Sequence, residues 1–465
     1  MKTIESKVII TLWISAFAAS QVLVKANRAH DAKYITASLN KNYKPCDSFY
    51  DHVCSNWMFY NPIPDDKSSA SVLEGLDDKL TEDLKGKPKS AIPEKTQFYA
   101  LMEVLRRVGG EYWPVWPPPR AREVLPTWDQ LYTRIHNEFA INLLLVVGVD
   151  KDPKNVSNKI ISIERPSAGS DLHLFRKRSS NKEKKPVNPR DLAYLTFMAS
   201  CIKAFNPKLS YKEVKEVIVD IIWFESNVTK MLEAAENKSG TDLNFFRMTI
   251  ADLKNITEHV DWLQMLQRLF DSVNVTLTPN EPVVLNELYY FQTVVDYIMK
   301  NVSRHTTYNY MIWRLIRNFG PMALPKMREL SFKISQASRG VRKDIPLSMR
   351  CVYYISDVMD FPAGRLYVQR YFSREAKKDL DAMVKLVGYS DDLLNDTYLN
   401  DMFKEVVVGP CSRERLLFSP SQRYKYINLG GIGTVIGHEV THAFDNTGSQ
   451  FDSDGNMQNW WTNKT

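Results

Sequence analysis

The sequence predicts a mainly α protein with a small β component, organised as two lobes. Three observations lead there. At 465 residues the chain exceeds what one ordinary hydrophobic core serves. Its middle carries long stretches with apolar residues at helical spacing, and strand-like runs are few.

Taken in order, residues 19 to 44 read as a polar lead-in. Residues 61 to 95 are polar and rich in Pro and Lys, with one amphipathic stretch from Val72 to Leu84. Trp113 to Pro119 cannot lie inside a helix, because each proline removes a donor and restricts its predecessor; an aromatic-rich extended connection is expected. Ile141 to Val149 and Lys159 to Ile163 carry the strand signals. From Tyr211 to Glu236 the apolar positions Val214, Val217, Ile218, Ile221 and Ile222, then Val228, Met231 and Leu232, fit an amphipathic helix of several turns. Leu288 to Phe319 reads as helix in the same way, and Arg374 to Val387 is another. The Met and aromatic stripes of these helices are assigned to core packing.

Hydrophobic residues make up 44% and charged residues 25%, the balance of a folded globular chain. The net charge of +7 is spread out, and a nucleic-acid groove needs clustering, so nucleic acid is not an expected partner. The one dense run is Arg176-Lys177-Arg178 with Lys182, Lys184 and Lys185. It lies among Ser179, Ser180, Asn181 and Pro186 and reads as a solvated loop.

The N-terminus reads as an export signal. Val8 to Ala19 is apolar behind Lys2 and Lys7, and Ala16-Phe17-Ala18 is a small-x-small cleavage pattern, giving a signal peptide over 1–18. A signal anchor over 8–24 is the alternative, since no charge falls between Val8 and Val24. The chain is therefore expected to be secreted. If the segment is an uncleaved anchor, the chain is a type II membrane protein with the residues after it outside the cell. Asn-x-Ser/Thr triplets at Asn155, Asn227, Asn237, Asn255, Asn274, Asn301, Asn395 and Asn463 support export and are candidate glycosylation sites. The five cysteines are Cys46, Cys54, Cys201, Cys351 and Cys411, an odd number that leaves at least one thiol unpaired or pairing between chains. Cys46 and Cys54 are near enough in sequence to bridge one another where geometry permits.

His438-Glu439-Val440-Thr441-His442 carries the chemistry. Histidines four apart share one helix face, so both imidazoles reach one zinc ion. Glu439 leaves the helix rotated by about 100°, close to the metal but free to take a proton from water and pass it to a leaving amine. The apolar, glycine-rich Gly430 to Gly437 suits the entry of a tightly packed helix. Asp445 is placed to accept a hydrogen bond from a ligand histidine and fix its tautomer.

From Val435 to Thr462 the sequence resembles the active-site segment of the neprilysin and endothelin-converting enzyme family of zinc endopeptidases, peptidase family M13. Pro45 to Trp57 (PCDSFYDHVCSNW) resembles that family's N-terminal signature, and Tyr308 to Arg314 (YNYMIWR) one of its helices. Gly364 to Val368 and Gly388 to Asp392 resemble further blocks. The resemblance implies a two-lobed, mainly helical ectodomain with a thermolysin-like zinc site between the lobes. It assigns 45–400 to the N-terminal helical region and 401–465 to the start of the catalytic domain. It implies one zinc ion per chain, with His438 and His442 as ligands, Glu439 as general base and Asp445 supporting a ligand histidine. The substrates it implies are short extracellular peptides, cut before hydrophobic residues.

The match departs from the family at several points. The family's third ligand is a glutamate on a later helix, but no glutamate follows Glu439, and the later acids are Asp445, Asp452 and Asp454. The third ligand, and the downstream His and Arg that hold the transition state, are expected to be absent from this chain, leaving its catalytic lobe incomplete. Between Phe403 and Gly431 no Asn-Ala pair marks the family's substrate-binding strand, and the stretch from Phe372 to Gly388 reads as shortened. By resemblance Cys46 and Cys54 bridge to a C-terminal part, so stranded thiols and exposed apolar surface are expected. Two readings from different classes remain: a zinc endopeptidase, and a secreted paralogue that binds peptides or a partner without cutting.

Overall fold

The computed structural model describes residues 36–84, 94–118, 125–166, 188–239 and 245–359, with short pieces at 362, 397, 441–442, 448–451 and 456–457. The chain divides into two compact units. One combines Met1–Ala91 with Arg339–Glu439, the other Ile92–Ser338 with Val440–Thr465.

In the first unit, helix Phe49–Cys54 begins at Ser48, whose Oγ accepts from the Asp51 backbone N–H at 3.3 Å. A hydroxyl there satisfies one of the donors that a helix start leaves unpaired. Helix Trp57–Tyr60 follows, and Val72–Leu84 is helical over the predicted bounds. Helix Leu347–Val358 packs on Val72–Leu84. Beside them the Asp65 carbonyl accepts from the backbone N–H of both Arg342 (2.7 Å) and Lys343 (2.9 Å). Tyr353 lies 3.5 Å from Asp78, which also meets Lys67 at 2.5 Å. Burial, then the nearby Asp78 and Asp77 charges, push the Tyr353 phenol up to about 12.

The second unit holds a four-stranded sheet in the order β1-β2-β4-β3. β1 (Val146–Asp152) and β2 (Asn155–Glu164) form an antiparallel hairpin with Val149 opposite Ile161. β4 (Pro282–Asn286) runs parallel to β2, pairing Ser162 with Val284, and β3 (Phe245–Thr249) closes the other edge antiparallel to β4. The predicted first strand begins late. Leu143, Leu144 and Leu145 are buried as core but lie ahead of the ladder, and the Leu144 carbonyl is held by the buried Tyr290 hydroxyl at 2.6 Å. β3 and β4 were not anticipated. Each spans five residues, too short to show a period, and their pairing is with distant sequence.

Helix Tyr211–Ser239 extends the expected helix by three residues. The single helix expected over 288–319 is broken. It forms a short turn Leu288–Tyr290, a π-helical turn Phe291–Val295 and a helix Asp296–Asn301. A fresh start follows at Arg304–Ala323, where Ser303 is the N-cap and its Oγ accepts from Thr306 N–H at 3.3 Å. The extended Val302 between them makes the break, and the apolar spacing continues across it. Arg374–Val387 lies outside the described residues.

Helix Arg304–Ala323 is the centre of this unit and packs against Glu94–Val108, Trp128–Phe139 and Tyr211–Ser239. Twelve of its residues are buried, including all of Thr306 to Trp313, so it is a core helix and not a half-exposed one. Trp113 and Phe197 contact Trp313 at ring separations of 6.3 and 5.4 Å. The aromatic-rich 113–118 segment is therefore docked onto the core, not merely a connection.

Candidate functional site

The zinc motif is described at Thr441 and His442, which are helical and exposed. That fits the helix expected of the motif and a ligand that needs access from outside the core. His438, Glu439 and Asp445 lie outside the described residues. Among the described residues no group of three or more His, Cys, Asp or Glu side chains is placed to hold a metal ion. By the chemistry of its donors, a pair of histidines four apart in sequence suits zinc.

The chain beyond the motif is tied down on the sheet. Gly448–Gln450 makes a 3₁₀ turn, Phe451 pairs antiparallel with Met457, and the Met457 N–H donates to the Pro153 carbonyl at 2.6 Å. Asn456 Oδ1 accepts from the Val156 N–H at 3.0 Å. The turn between β1 and β2 is thus the anchor for residues shortly after the motif. Nothing in the motif signalled this.

The second unit also holds a buried polar chain. Trp313 Nε1 donates to the Tyr194 hydroxyl at 2.8 Å, and that hydroxyl donates to Glu225 Oε2 at 3.0 Å, all three residues being fully buried. Arg317 lies over the Tyr194 ring at 5.1 Å, and Arg314 donates to the Tyr310 hydroxyl at 3.2 Å. Burial first, then the Glu225 charge, raise the Tyr194 phenol well above its ordinary value, so it stays a neutral donor. Asn309, also fully buried, clamps the Trp-Pro segment. Its Oδ1 accepts from Val115 N–H at 2.9 Å and its Nδ2 donates to the Val115 carbonyl at 3.1 Å. Its own carbonyl accepts from Trp113 Nε1 at 3.0 Å. At the head of the same helix, Thr306 Oγ1 donates to Asp220 at 2.9 Å and His305 Nε2 lies 3.6 Å from the other Asp220 oxygen. Burial raises the Asp220 pKa, against the Thr306 hydrogen bond and the His305 charge.

Cys46 and Cys54 both keep free thiols, so the near-neighbour bridge does not form, and Cys46 is exposed. Cys201 is free but buried, and burial pushes its thiol well up. Cys351 is disulfide-bonded.

Comparison with known proteins decides the family. The N-terminal model of peptidase family M13 matches residues 45–97 and 89–388, and the family's catalytic model matches 414–465. The chain belongs to peptidase family M13. Its members here include membrane metallo-endopeptidase-like 1 of Mus musculus, 23% identical over 93% of this chain and 71% of the relative. Neprilysin-1 of Caenorhabditis elegans is 22% identical over 93% of this chain and 72% of its own length. Endothelin-converting enzyme 1 of Homo sapiens is 21% identical over 93% and 68%. The match to the mouse relative runs over 551 positions, more than the 465 residues of this chain, so that relative carries internal segments with no counterpart here. A zinc metalloprotease of Mycobacterium tuberculosis, solved with an inhibitor, shares the fold at a TM-score of 0.60 and 18% identity, covering 92% of this chain and 77% of that one. PepO of Lactobacillus rhamnosis does so at 0.56 and 16%, covering 90% and 79%. The M13 chain is thus a mainly α member of a family of zinc metalloendopeptidases.

Proposed function

We propose that this M13 chain is an exported zinc-dependent endopeptidase that cuts short extracellular peptides before hydrophobic residues. The observation that carries the reading is the intact His438-Glu439-x-x-His442 with Asp445 kept, inside the stretch matched by the M13 catalytic model. His438 and His442 would hold the ion, and Asp445 would orient one imidazole by accepting its second N–H. A zinc ion held there supplies Lewis acidity, which polarises a peptide carbonyl and makes water acidic enough to lose a proton near neutral pH. Glu439 takes that proton and delivers it to the leaving amine. A three-ligand site needs one more donor, and no glutamate of this sequence follows Glu439 to supply it.

Export through the 1–18 leader, or anchoring through 8–24, would place the protein where such peptides are found. Among the described residues no helix is long and apolar enough to cross a membrane. The second reading, a secreted paralogue that binds peptides or a partner without cutting, is favoured by the lack of a glutamate after Glu439 in this sequence.

The test is zinc content by elemental analysis together with hydrolysis of a quenched fluorescent peptide in the same sample. About one zinc per chain with chelator-sensitive cleavage supports the endopeptidase. Glu439→Gln should then keep the zinc and lose roughly 10²–10⁴-fold in rate. Peptide binding without zinc or cleavage would replace the endopeptidase by the binder.

A further inference from the structure

Sequence alone treats every Asn-x-Ser/Thr triplet alike, and the structure separates them. Asn227 sits in mid-helix on Tyr211–Ser239, half-buried, and its Nδ2 donates to the Tyr297 hydroxyl at 3.2 Å. The Tyr297 ring packs against Trp223 at 6.3 Å. The rest of its triplet is core: Val228 is 1% exposed, and Thr229 is 4% exposed with its hydroxyl donating to the Glu225 carbonyl at 2.8 Å. A sugar on Asn227 Nδ2 would need the space that Tyr297 fills.

Four other triplets share the opposite setting. Asn155 is the first residue of β2 after its tight turn, and Asn255 ends the 3₁₀ helix Asp252–Asn255. Asn274 caps the 3₁₀ turn Asp271–Val273 in a left-handed conformation, φ 55°, and Asn301 ends helix Asp296–Asn301. All four side chains are exposed and stand at the end of an element, where a bulky polar group displaces no packing.

We propose that the exported protein carries N-linked oligosaccharide on Asn155, Asn255, Asn274 and Asn301 and none on Asn227. The inference rests on the export reading given above and is confined to the triplets whose side chains are described. The donor is a lipid-linked oligosaccharyl diphosphate. The asparagine Nδ2 forms a bond to the sugar C1, and the C1–O bond to the diphosphate breaks. The lipid diphosphate leaves with that electron pair, and one amide proton passes to a base of the transferase.

The hydroxyl two residues on is needed only during transfer. Burial of Thr257, whose Oγ1 accepts from Trp262 Nε1 at 2.7 Å in the folded chain, therefore leaves Asn255 eligible. For Asn227 the order of events works the other way. A glycan added before folding would keep its helix from burying Val228 and Thr229, and such chains do not join the folded pool.

The test uses the full chain in a eukaryotic secretory host, in two forms: with its own N-terminus, and behind the leader of an unrelated secreted protein. Soluble protein from the lumen and the medium is treated with peptide N-glycosidase in heavy-oxygen water, and its peptides are mapped by mass spectrometry. An occupied asparagine becomes isotope-labelled aspartate. Label at Asn155, Asn255, Asn274 and Asn301, with unconverted Asn227, supports the proposal. Asn227→Gln should then leave the electrophoretic mass unchanged, while each of N155Q, N255Q, N274Q and N301Q removes one glycan. Label at Asn227, or its lack at any of the four, in the leader-directed form overturns it. Correct label in the directed form alone, with none in the form bearing its own N-terminus, leaves the site selection standing and overturns the export reading.

Discussion

Two blocks that both resemble the same family in sequence have opposite physical lives in the molecule. Tyr308–Arg314 lies in a core helix, with Trp313, Tyr194 and Glu225 fully buried and hydrogen-bonded in series. Pro45–Trp57 and the residues after it leave Phe49, Tyr50, Phe59 and Tyr60 between 65% and 76% exposed, beside the free thiols of Cys46 and Cys54. Similarity to a family block is therefore no guide to what that block contributes to stability. The first block holds its own unit together, and the second presents apolar surface that nothing among the described residues covers.

The comparison breaks or sharpens with four substitutions. Trp313→Ala should have the largest effect. It empties a core site and strips Tyr194 of its donor, so a loss of about 3–5 kcal/mol is expected in denaturant unfolding. A loss under about 1 kcal/mol would mean that the buried series does not hold the unit. Asn309→Ala comes next, at about 1–3 kcal/mol, because it leaves the Val115 N–H and carbonyl without partners inside the protein. Unchanged stability would show that the Trp-Pro segment is held by ring packing alone.

The third effect is a pH slope. Burial lowers the His136 pKa from 6.5, opposed by its hydrogen bond to Asn142 Oδ1 at 3.0 Å. The unfolded chain then takes up the proton first. The stability this histidine contributes is complete above 6.5 and is lost as pH falls from there towards its folded value. Unfolding measured through that window should show His136→Gln with a shallower slope than the parent, and equal slopes would rule the histidine out. The smallest effect belongs to the other block. Phe59→Ser, at 76% exposure, should change stability by no more than about 0.5 kcal/mol. A large loss would show that the exposed aromatics are part of a core after all.

Much of the fold was legible from local pattern. Val72–Leu84 and Tyr211–Ser239 carry their own apolar period, and the structure returns them nearly residue for residue. The runs that form β1 and β2 were anticipated as strands, though not their pairing. β3 and β4 were not, because the parallel pairing of β2 with β4 joins residues such as Ser162 and Val284 that no local window contains. The break at Val302 escaped for a related reason, since apolar residues continue through it and only the following Ser303 cap signals a new start. At the candidate site the motif was legible and what holds the chain after it was not. Nothing local to Asn456 or Met457 announces that they fasten the segment after the motif to the turn at Pro153.

What the sequence displayed by itself is the motif. Two histidines four apart with a glutamate between them would share one face of a helix, the spacing that suits a metal and a proton carrier. Tertiary structure alone decided which polar side chains are buried and paired. Asn309 and Asn227 are both asparagines inside helices, yet one is a fully buried clamp and the other is half-exposed beside Tyr297. The physical reason is that a side chain's free energy depends on the water it loses and the partner it gains, and both are set by what packs against it from far along the chain.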